Sequence, residues 1–276
     1  MTAYSRYTAG RIFEKSKQYL FRGCALLAPG LYQEPKFTCP ICDYRGPFVK
    51  IRIRVHGMCP KCGSSERHRL QKLVLDRLVL EKLINFADTR CLQFAPDAVT
   101  PTLRRVCREV VTADINPKPG SIKLDICNIN VDDASFDLVY ASHVLEHIPS
   151  DLEALSEIHR ILRPGGVAIL PVPVVADKTI EYDAPKPEEE DHWRLVGHDY
   201  FIRYEKLFET VNLYYSHDFP EEFQTYIYDT VKNMRFEDEV PVCVKAAPAH
   251  PMTANWGARE PVAGLPDDSP RSFREV

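Results

Sequence analysis

The residues with the most specific chemistry are four cysteines, arranged as two Cys-Pro-x-Cys pairs. They are Cys39, Cys42, Cys59 and Cys62. Each pair can present two thiolates from one tight turn, and two such turns complete a tetrahedral sulfur site of the kind that binds structural zinc. Four thiolates leave no coordination position open for water. The zinc is therefore expected to hold the shape of a small module and to take no part in catalysis.

Cysteine usage also bears on the compartment. The chain has nine cysteines, an odd number, and four of them fall in the two pairs. This pattern suits a reducing compartment with a metal site better than a disulfide scaffold. We expect a cytoplasmic protein.

Two acidic residues follow consecutive apolar runs. Asp114 ends the run VVTADI and Asp125 lies in IKLDI. In a doubly wound sheet the ligand lies outside the carboxyl ends of the strands, where such acids can accept hydrogen bonds from ribose hydroxyls or an adenine amino group. The alternative for each acid is a helix cap or a turn former.

Histidines form a second group of candidates. The string from His143 to His147 matches the HxxEH pattern of zinc peptidases, in which two histidines and a glutamate bind a metal and activate water. The string directly follows an apolar strand, Pro149 interrupts the next turn, and no third ligand is evident downstream. We therefore disfavour a peptidase and expect His147 to order the loop or to act as a base.

The segment DHWRLVGHDY, residues 191–200, alternates aromatic and ionisable side chains after an acidic stretch at 175–191. The acidic stretch can fold over the crevice as a lid, or it can be a solvated loop. His198 and His192 are the best candidates for a general base, with His147 next. Asp199 is a candidate cap for a helix over 199–208.

Strands alternate with helices over the larger part of the chain. Apolar runs at 90–95, 110–115, 122–126, 136–142 and 167–174 are separated by helical or turn segments, which predicts an α/β fold with a doubly wound, mostly parallel sheet. The runs 213–219 and 240–246 are expected to close the sheet as an antiparallel edge pair. The predicted division is an N-terminal basic helix (1–36), a zinc ribbon (37–66), a connecting helix (67–87), the α/β domain (88–246) and a disordered tail (247–276).

Composition excludes some classes of protein. The formal net charge of −4 provides no global basic field for nucleic acid or an anionic membrane. No segment approaches the roughly 20 apolar residues that a membrane span needs. The basic start of the chain is expected to be a short docking helix, with targeting or membrane contact as the alternative. The oligomeric state is not indicated.

Basic residues surround the cysteine pairs. They are either a solvated face, which we favour, or an anion-binding surface for RNA or a phosphorylated ligand. They include Arg45, Lys50, Arg52, Arg54, Lys61, Arg67, His68, Arg69 and Lys72.

The strings TADI, LDI, FDLVYASHVLEHI and HRILRPGGVAIL together resemble the class I (Rossmann-like) S-adenosylmethionine-dependent methyltransferases over roughly residues 88–245. The resemblance implies that Asp114 with Ile115 holds the ribose and that Asp125 with Ile126 lies at the adenine. The ends of the first and fourth strands would flank the methionine portion. Those strand-end residues are Gln93, Phe94, Ala95, Ser142 and His143.

The whole chain also resembles a bacterial subgroup in which a zinc ribbon precedes the methyltransferase domain. CPICDYRG, CPKCGSSERHR and DHWRLVGHDY are the matching strings. In this subgroup the usual glycine-rich loop is replaced by a sequence close to FAPE, matched here by residues 94–97. Pro96 has a fixed φ and no N–H, so cofactor binding is expected with altered loop geometry, or weakened, or lost.

These observations predict a methyltransferase that uses S-adenosylmethionine and a structural Zn²⁺. Its unidentified acceptor is expected to be a small molecule or a glycan. One alternative is a non-catalytic protein- or RNA-binding module with a degenerate methyltransferase domain. Another is an RNA methyltransferase that uses the zinc ribbon for RNA binding.

Overall fold

The computed structural model describes residues 36–247. The predicted basic helix at the start of the chain and the predicted disordered tail therefore lie almost wholly outside the described residues. The helices are α1 (Glu66–Leu80), α2 (Thr100–Val106), α3 (Asp151–Ile161) and α4 (Ile202–Glu205). The strands are β1 (Phe37–Thr38), β2 (Arg45–Gly46), β3 (Val49–Ile51), β4 (Arg54–Met58), β5 (Arg90–Phe94), β6 (Glu109–Asp114), β7 (Ile122–Lys123), β8 (Phe136–Ala141), β9 (Leu162–Ile169), β10 (Val174–Ala176), β11 (Ile180–Lys186), β12 (His192–Gly197), β13 (Thr210–Tyr215), β14 (Ile227–Asp229), β15 (Met234–Phe236) and β16 (Glu239–Val244).

The main sheet has seven strands in the order β13-β16-β9-β8-β5-β6-β7. In this order, the five strands from β9 to β7 are parallel to one another. Strand β16 runs antiparallel to both of its neighbours, β13 and β9. The strand order reverses at β5, which has β6 on one side and β8 on the other. The predicted mostly parallel α/β sheet is confirmed, with β16 inserted between β9 and the edge strand β13.

Helices cover both faces of this sheet because its strands bury alternate side chains on opposite sides. In β8, Val139 and Ala141 pack on the face covered by α3, while Leu138 and Tyr140 pack on the face covered by α1 and α2. Helix α1 presents a fully buried stripe at the spacing of one turn, and Leu70, Val74 and Leu78 form it.

Helix α1 is shorter than predicted. Lys82 adopts the left-handed conformation (φ 58°) and ends the helix. The N–H of Leu83 then donates to the carbonyl of Leu78 at 3.0 Å, and the N–H of Lys82 donates to that of Val79 at 3.1 Å. This is a Schellman ending, which glycine usually supplies. Apolar residues continue at helical spacing beyond Leu80, and for this reason the sequence predicted a helix to residue 87.

The cysteine-rich segment contains a hairpin. The alternating sequence FVKIRIRVHG predicts one short strand, but the structure divides it between β3 and β4. Arg52, with φ 53°, makes the turn between β3 and β4. Strand β4 also pairs with β14, so a four-stranded sheet of order β15-β14-β4-β3 combines this segment with residues 227–236. The small module is therefore completed by a segment distant in sequence.

Three further elements differ from expectation. The acidic stretch contains β11, which pairs with β12 in a three-stranded sheet of order β10-β12-β11, so it is a strand where a loop was expected. The Pro-Gly-Gly sequence at 164–166 predicts a turn, but it lies inside β9, where the register with β8 shifts. Strand β7 ends at Lys123, so Asp125 lies in the turn that follows it. No helix in the described part of the chain is long and apolar enough to cross a membrane.

Candidate functional site

The two cysteine knuckles have the same backbone geometry. The N–H of Asp43 donates to the carbonyl of Cys39, and the N–H of Gly63 donates to that of Cys59, both at 2.9 Å. Asp43 and Gly63 each have a positive φ, 58° and 77°. The repeated turn aims both thiols of each pair in one direction.

The four Sγ atoms converge. They lie within 4.8 Å of one another, with Cys39 and Cys62 at 3.6 Å and Cys42 and Cys59 at 3.6 Å. Zinc–sulfur bonds of about 2.3 Å in a tetrahedron place the sulfurs roughly 3.8 Å apart. The cluster therefore has the size and donor set of a closed zinc site.

Helix α1 carries the module to the main sheet. Its N3 residue His68 accepts a hydrogen bond at Nδ1 from the N–H of Ser65, the N-cap, at 3.0 Å. The Nε2 atom of His68 lies 3.7 Å from Oδ2 of Asp97, in the loop after β5. Burial lowers the pKa of His68 to about 3, helped by the nearby charge of Arg67. The ring is therefore neutral, and its Nε2 faces the loop.

One turn further along α1, Gln71 contacts the end of β8. Its Nε2 donates to Oγ of Ser142 at 2.9 Å, and its Oε1 accepts from the hydroxyl of Tyr140. Helix α1 thus reaches the ends of both the first and the fourth strand of the predicted crevice. His68 and Gln71 were not predicted as crevice residues, and His68 was grouped only with the basic residues around the cysteines. Their spacing of three residues, which puts them on one face of the helix, was the available signal.

The loop after β5 keeps the turn expected of a glycine. Ala95 has φ 48°, and its N–H donates to the carbonyl of Ala113 at 3.0 Å. Oδ1 of Asp97 accepts from the N–H of Val99 at 2.8 Å and from Nε2 of Gln93 at 3.3 Å. A left-handed residue at this position lets the backbone turn sharply away from the strand, and glycine is the usual choice.

Several buried polar atoms at these strand ends have no hydrogen-bond partner among the described residues. They include Oε1 of Gln93, Oδ2 of Asp97 and Nε2 of His143. Burial raises the pKa of Asp97. Leaving such an atom unpaired costs about 1–3 kcal/mol. A ligand with an ammonium group would satisfy the two acceptors, so the loop fits an amino-acid-bearing cofactor.

Asp114 and Asp125 both form turns through one carboxylate oxygen. Oδ1 of Asp114 accepts from the N–H of Asn116 at 2.8 Å, and Oδ1 of Asp125 accepts from the N–H of Cys127 at 2.9 Å. The turn-forming alternative thus accounts for Oδ1 of each acid. Beside them, Ile115 is 52% exposed and Ile126 is buried. The apolar side chain of Ile115 is therefore available to a ligand.

His143 follows β8 in a left-handed conformation, φ 53°, and its N–H donates to the carbonyl of Pro171 at 2.9 Å. Its Nδ1 lies 3.3 Å from Oε1 of Glu146. Burial acts to raise the pKa of Glu146, but the contacts with His143 outweigh it and hold that pKa below its ordinary value.

Of the three candidate bases, two lie together and the third, His198, lies apart from them. His147 and His192 are edge to face, with ring centroids 4.7 Å apart, and share a cluster with Glu146. His198 is mostly exposed, and its Nδ1 lies 3.3 Å from Oε1 of Glu239. The predicted Asp199–Phe208 helix is a short 3₁₀ turn followed by α4. Asp199 does not cap it, since its Oδ1 accepts from the N–H and hydroxyl of Thr179 at 2.7 Å.

Many of the basic residues around the cysteines have internal partners. Arg69 is fully buried and donates to backbone carbonyls. Arg54 pairs with Glu66 at 3.3 Å and Arg52 pairs with Glu190 at 2.6 Å. These contacts do not favour the RNA-binding alternatives.

Residues 94–170 match a family model described as a methyltransferase domain. Demethylmenaquinone methyltransferase from Staphylococcus epidermidis is 44% identical over 45 residues, which are 16% of this chain and 19% of that protein. Sterol 24-C-methyltransferase from Eremothecium gossypii is 39% identical over 78 residues, which are 28% of this chain and 19% of that protein. The chain spans about a fifth of the length of these curated relatives.

Two solved structures match parts of the chain at low sequence identity. Phosphoethanolamine N-methyltransferase 2 from Haemonchus contortus, in complex with phosphomonomethylethanolamine and S-adenosylhomocysteine, is 12% identical with a TM-score of 0.44, over 63% of this chain and 52% of that chain. An S-adenosylmethionine-dependent methyltransferase from Archaeoglobus fulgidus is 15% identical with a TM-score of 0.42, over 67% of this chain and 96% of that chain.

The family match begins at Phe94, the last residue of β5, and ends at Leu170, directly after β9. It therefore contains the strand ends that form the crevice. Over these residues, the chain is similar to methyltransferase domains.

Proposed function

We propose that this protein transfers a methyl group from S-adenosylmethionine to a small-molecule or glycan acceptor. The observation that carries the proposal is the strand-end loop of β5, in which Ala95 keeps the left-handed turn of a glycine loop inside the segment that matches the methyltransferase domain. The lost glycines had made cofactor binding the weakest part of the prediction.

Different residues of the crevice would bind different parts of the cofactor. Asp114, beside the exposed Ile115, would accept from the ribose hydroxyls through the oxygen that the turn does not use. Asp125 and Ile126 would lie at the adenine. Gln93 and Asp97 would accept from the ammonium group through their unpaired buried oxygens, and Phe94, Ala95, Ser142 and His143 would complete the walls around the methionine portion.

The bound cofactor supplies an activated methyl group on a sulfonium, and the reaction is an in-line displacement. The protein contributes alignment and exclusion of water. A base is needed only when the acceptor is a hydroxyl or a protonated amine. His198, paired with Glu239, is then a candidate, as are His192 and His147.

The acceptor class rests on the relatives. The curated relatives are named for demethylmenaquinone and a sterol, both small molecules. The polar and charged residues of β11 and β12 near the crevice suit a hydroxylated acceptor, and a glycan is therefore retained beside a small molecule.

The four cysteines would hold a structural zinc, as in the zinc-ribbon subgroup that the sequence resembles. The sulfur separations of 3.6 Å support this. Division into a zinc ribbon at 37–66, a linking helix and a methyltransferase domain at 88–246 is part of the same proposal, with residues 227–236 added to the ribbon sheet.

Calorimetric titration of the zinc-replete full chain with S-adenosylhomocysteine tests the proposal. We expect one site per chain. Asp114→Ala should weaken binding by about 10- to 100-fold, because it removes hydrogen bonds to a charged group worth roughly 1.5–3 kcal/mol.

Asp229→Ala is the matched control. Asp229 also forms a turn through Oδ1, which accepts from the N–H of Val231 at 2.7 Å, but it lies in the β14–β15 hairpin. Its loss should leave the affinity unchanged. Absence of binding by a folded, zinc-replete wild-type chain would refute the proposal.

A further inference from the structure

A second cluster of metal-ligating groups lies beside the crevice. Glu146, His147 and His192 each offer one ligand atom, and these atoms lie within 4.8 Å of one another. Glu146 and His147 come from the turn after β8, whereas His192 begins β12. The cluster therefore joins the end of the fourth strand to the three-stranded sheet.

Glu146 is the only buried member of this cluster. Its side chain is 1% exposed, and neither carboxylate oxygen makes a hydrogen bond with the described residues. Nδ1 of His143 lies 3.3 Å from its Oε1. Burying a carboxylate is costly unless a cation compensates it. A metal ion shared by Glu146 and the two imidazoles would compensate this charge, and the three ligand atoms lie close enough together to bind one ion.

Arg194 fixes the two halves of the cluster relative to each other. It lies two residues after His192, so both project from the same face of β12. Its Nη1 donates to the carbonyls of Leu145 at 2.6 Å and Ile148 at 2.8 Å, which flank Glu146 and His147 in sequence. The guanidinium itself is almost fully buried, with side-chain exposure of 1%. The turn and the strand are thus held at a defined separation.

We propose that Glu146, His147 and His192 bind a divalent transition-metal ion, such as Mn²⁺, Fe²⁺, Co²⁺ or Zn²⁺, beside the acceptor end of the crevice. Two imidazoles and one carboxylate suit these ions and leave coordination positions open for water or an acceptor oxygen. Tetrahedral ligands at about 2.1 Å lie roughly 3.4 Å apart, so small side-chain rotations would close the site. His147 is exposed, which provides a route for the ion.

This site differs in chemistry from the four-cysteine cluster. A closed sulfur site has no free position, whereas the three-ligand site does. Metal binding would also exclude His147 and His192 as general bases, because an imidazole bound to a metal is not available to accept a proton. His198 would then be the sole base among the three candidates.

The test is a titration of the zinc-replete full chain with Co²⁺, followed by absorption spectroscopy and calorimetry without cofactor. We expect one Co²⁺ per chain, with ligand-field bands and without the intense thiolate-to-cobalt absorption of a cysteine site. Omission of the cofactor makes the result independent of methyl transfer.

Variants locate the ion. His192→Ala and Glu146→Gln should each weaken Co²⁺ binding by at least about 100-fold, and Arg194→Lys by roughly 10-fold because it only orients the ligands. Glu146→Gln keeps the side-chain shape, so folding is expected to persist.

His217→Ala is the matched control, because His217 also lies beside a carboxylate, with Nδ1 2.6 Å from Oε2 of Glu237, but has no second histidine in its group. It should bind Co²⁺ as the wild type does. Failure of the wild type to bind Co²⁺ beyond the cysteine site would overturn the proposal. Binding that survives both His192→Ala and Glu146→Gln would overturn it equally.

Discussion

At the residue scale, Ala95 shows how a lost glycine can leave its turn in place. A left-handed backbone costs an L-residue about 1–2 kcal/mol because its Cβ approaches the following carbonyl oxygen, and alanine adds no further side-chain atoms to this contact. The hydrogen bond from Ala95 to Ala113 holds the turn against β6. The loop therefore keeps its shape at the expense of some stability.

Restoring glycine should be tolerated. Ala95→Gly removes the left-handed strain of about 1–2 kcal/mol but adds roughly 0.5–1 kcal/mol of unfolded-state entropy, so we expect a gain of between zero and about 1.5 kcal/mol in the free energy of unfolding. Ala95→Val should destabilise the protein, because a β-branched residue tolerates positive φ poorly. Urea denaturation measures both. Ala154→Gly, inside α3, is the control and should cost at least about 1 kcal/mol.

His68 should make stability depend on pH. Its ordinary pKa is 6.5 and burial lowers it to about 3 in the folded chain. The unfolded state therefore binds the proton first as the pH falls. The associated stability is complete above pH 6.5 and is lost progressively toward pH 3, by up to about 1.4 kcal/mol per pH unit.

Comparison of the wild type with His68→Gln isolates this effect, because glutamine can still accept from the Ser65 N–H in a capping box. Urea denaturation at several values between pH 7 and pH 4 should give a shallower loss for the variant. Two other processes change stability with pH in both proteins. The raised pKa of Asp97 favours the folded state as the pH falls, opposite to His68, and acid releases zinc from the cysteines. Identical slopes for the two proteins would show that His68 does not contribute.

At the element scale, helix α1 connects three parts of the structure through one residue. Arg69 donates to the carbonyl of Ser64 in the second knuckle, of Gly57 in β4 and of Gln224 in the segment before β14, at 2.8, 3.2 and 2.6 Å respectively. Its guanidinium also lies 4.4 Å from the ring centroid of Phe48. Hydrogen bonds from one fully buried guanidinium thus connect the small module to the rest of the chain.

Removal of this side chain should be severe. Arg69→Ala leaves several buried carbonyls unpaired and should lower the free energy of unfolding by about 3–5 kcal/mol. Arg69→Lys keeps the charge but loses the planar fork, so it should recover only part of the loss. Arg77→Ala, a change at a half-exposed position of the same helix, should cost much less, about 1 kcal/mol, because Arg77 contacts only the Phe219 ring and surface groups. Denaturant unfolding followed by circular dichroism distinguishes these outcomes.

The elements also show what the sequence can predict. Apolar runs that alternate with helical segments predicted the mostly parallel sheet, because strands buried on both faces are apolar along their whole length. The pairing of β4 with β14 was not predictable, since residues 54–58 and 227–229 carry no pattern that specifies each other. The end of α1 at Lys82 was missed because a left-handed lysine is rare. The crevice acids were visible as strand-end residues, whereas His68 and Gln71 lie on an element assigned only to packing.

At the scale of the whole molecule, the cysteine cluster and the crevice are one packed unit. The second knuckle leads directly into the N-cap of α1 at Ser65, and the next turns of that helix place His68 and Gln71 against the ends of β5 and β8. An exposed ion pair, Arg52 with Glu190, also joins the β3–β4 hairpin to the segment before β12. The geometry of the crevice is therefore expected to depend on the fold of the small module.

Loss of zinc should consequently weaken cofactor binding without any change in a cofactor ligand. The proposed zinc would supply the folding energy of the knuckles, so its removal should free the start of α1 and release Asp97 and Ser142 from their helix contacts. Chelation, or Cys59→Ser, should reduce the affinity for S-adenosylhomocysteine by at least about 10-fold in calorimetry. Far-ultraviolet circular dichroism should show that the main sheet persists.

Cys127→Ser is the matched control, because Cys127 is outside the cluster and its side chain donates only a weak 3.6 Å bond to the carbonyl of Ser150. It should bind the cofactor product as the wild type does. An unchanged affinity in a zinc-free chain would mean that α1 keeps its position through its apolar stripe alone. The four thiolates would then stabilise the small module only, and the crevice would be set by Leu70, Val74 and Leu78 packing on the sheet.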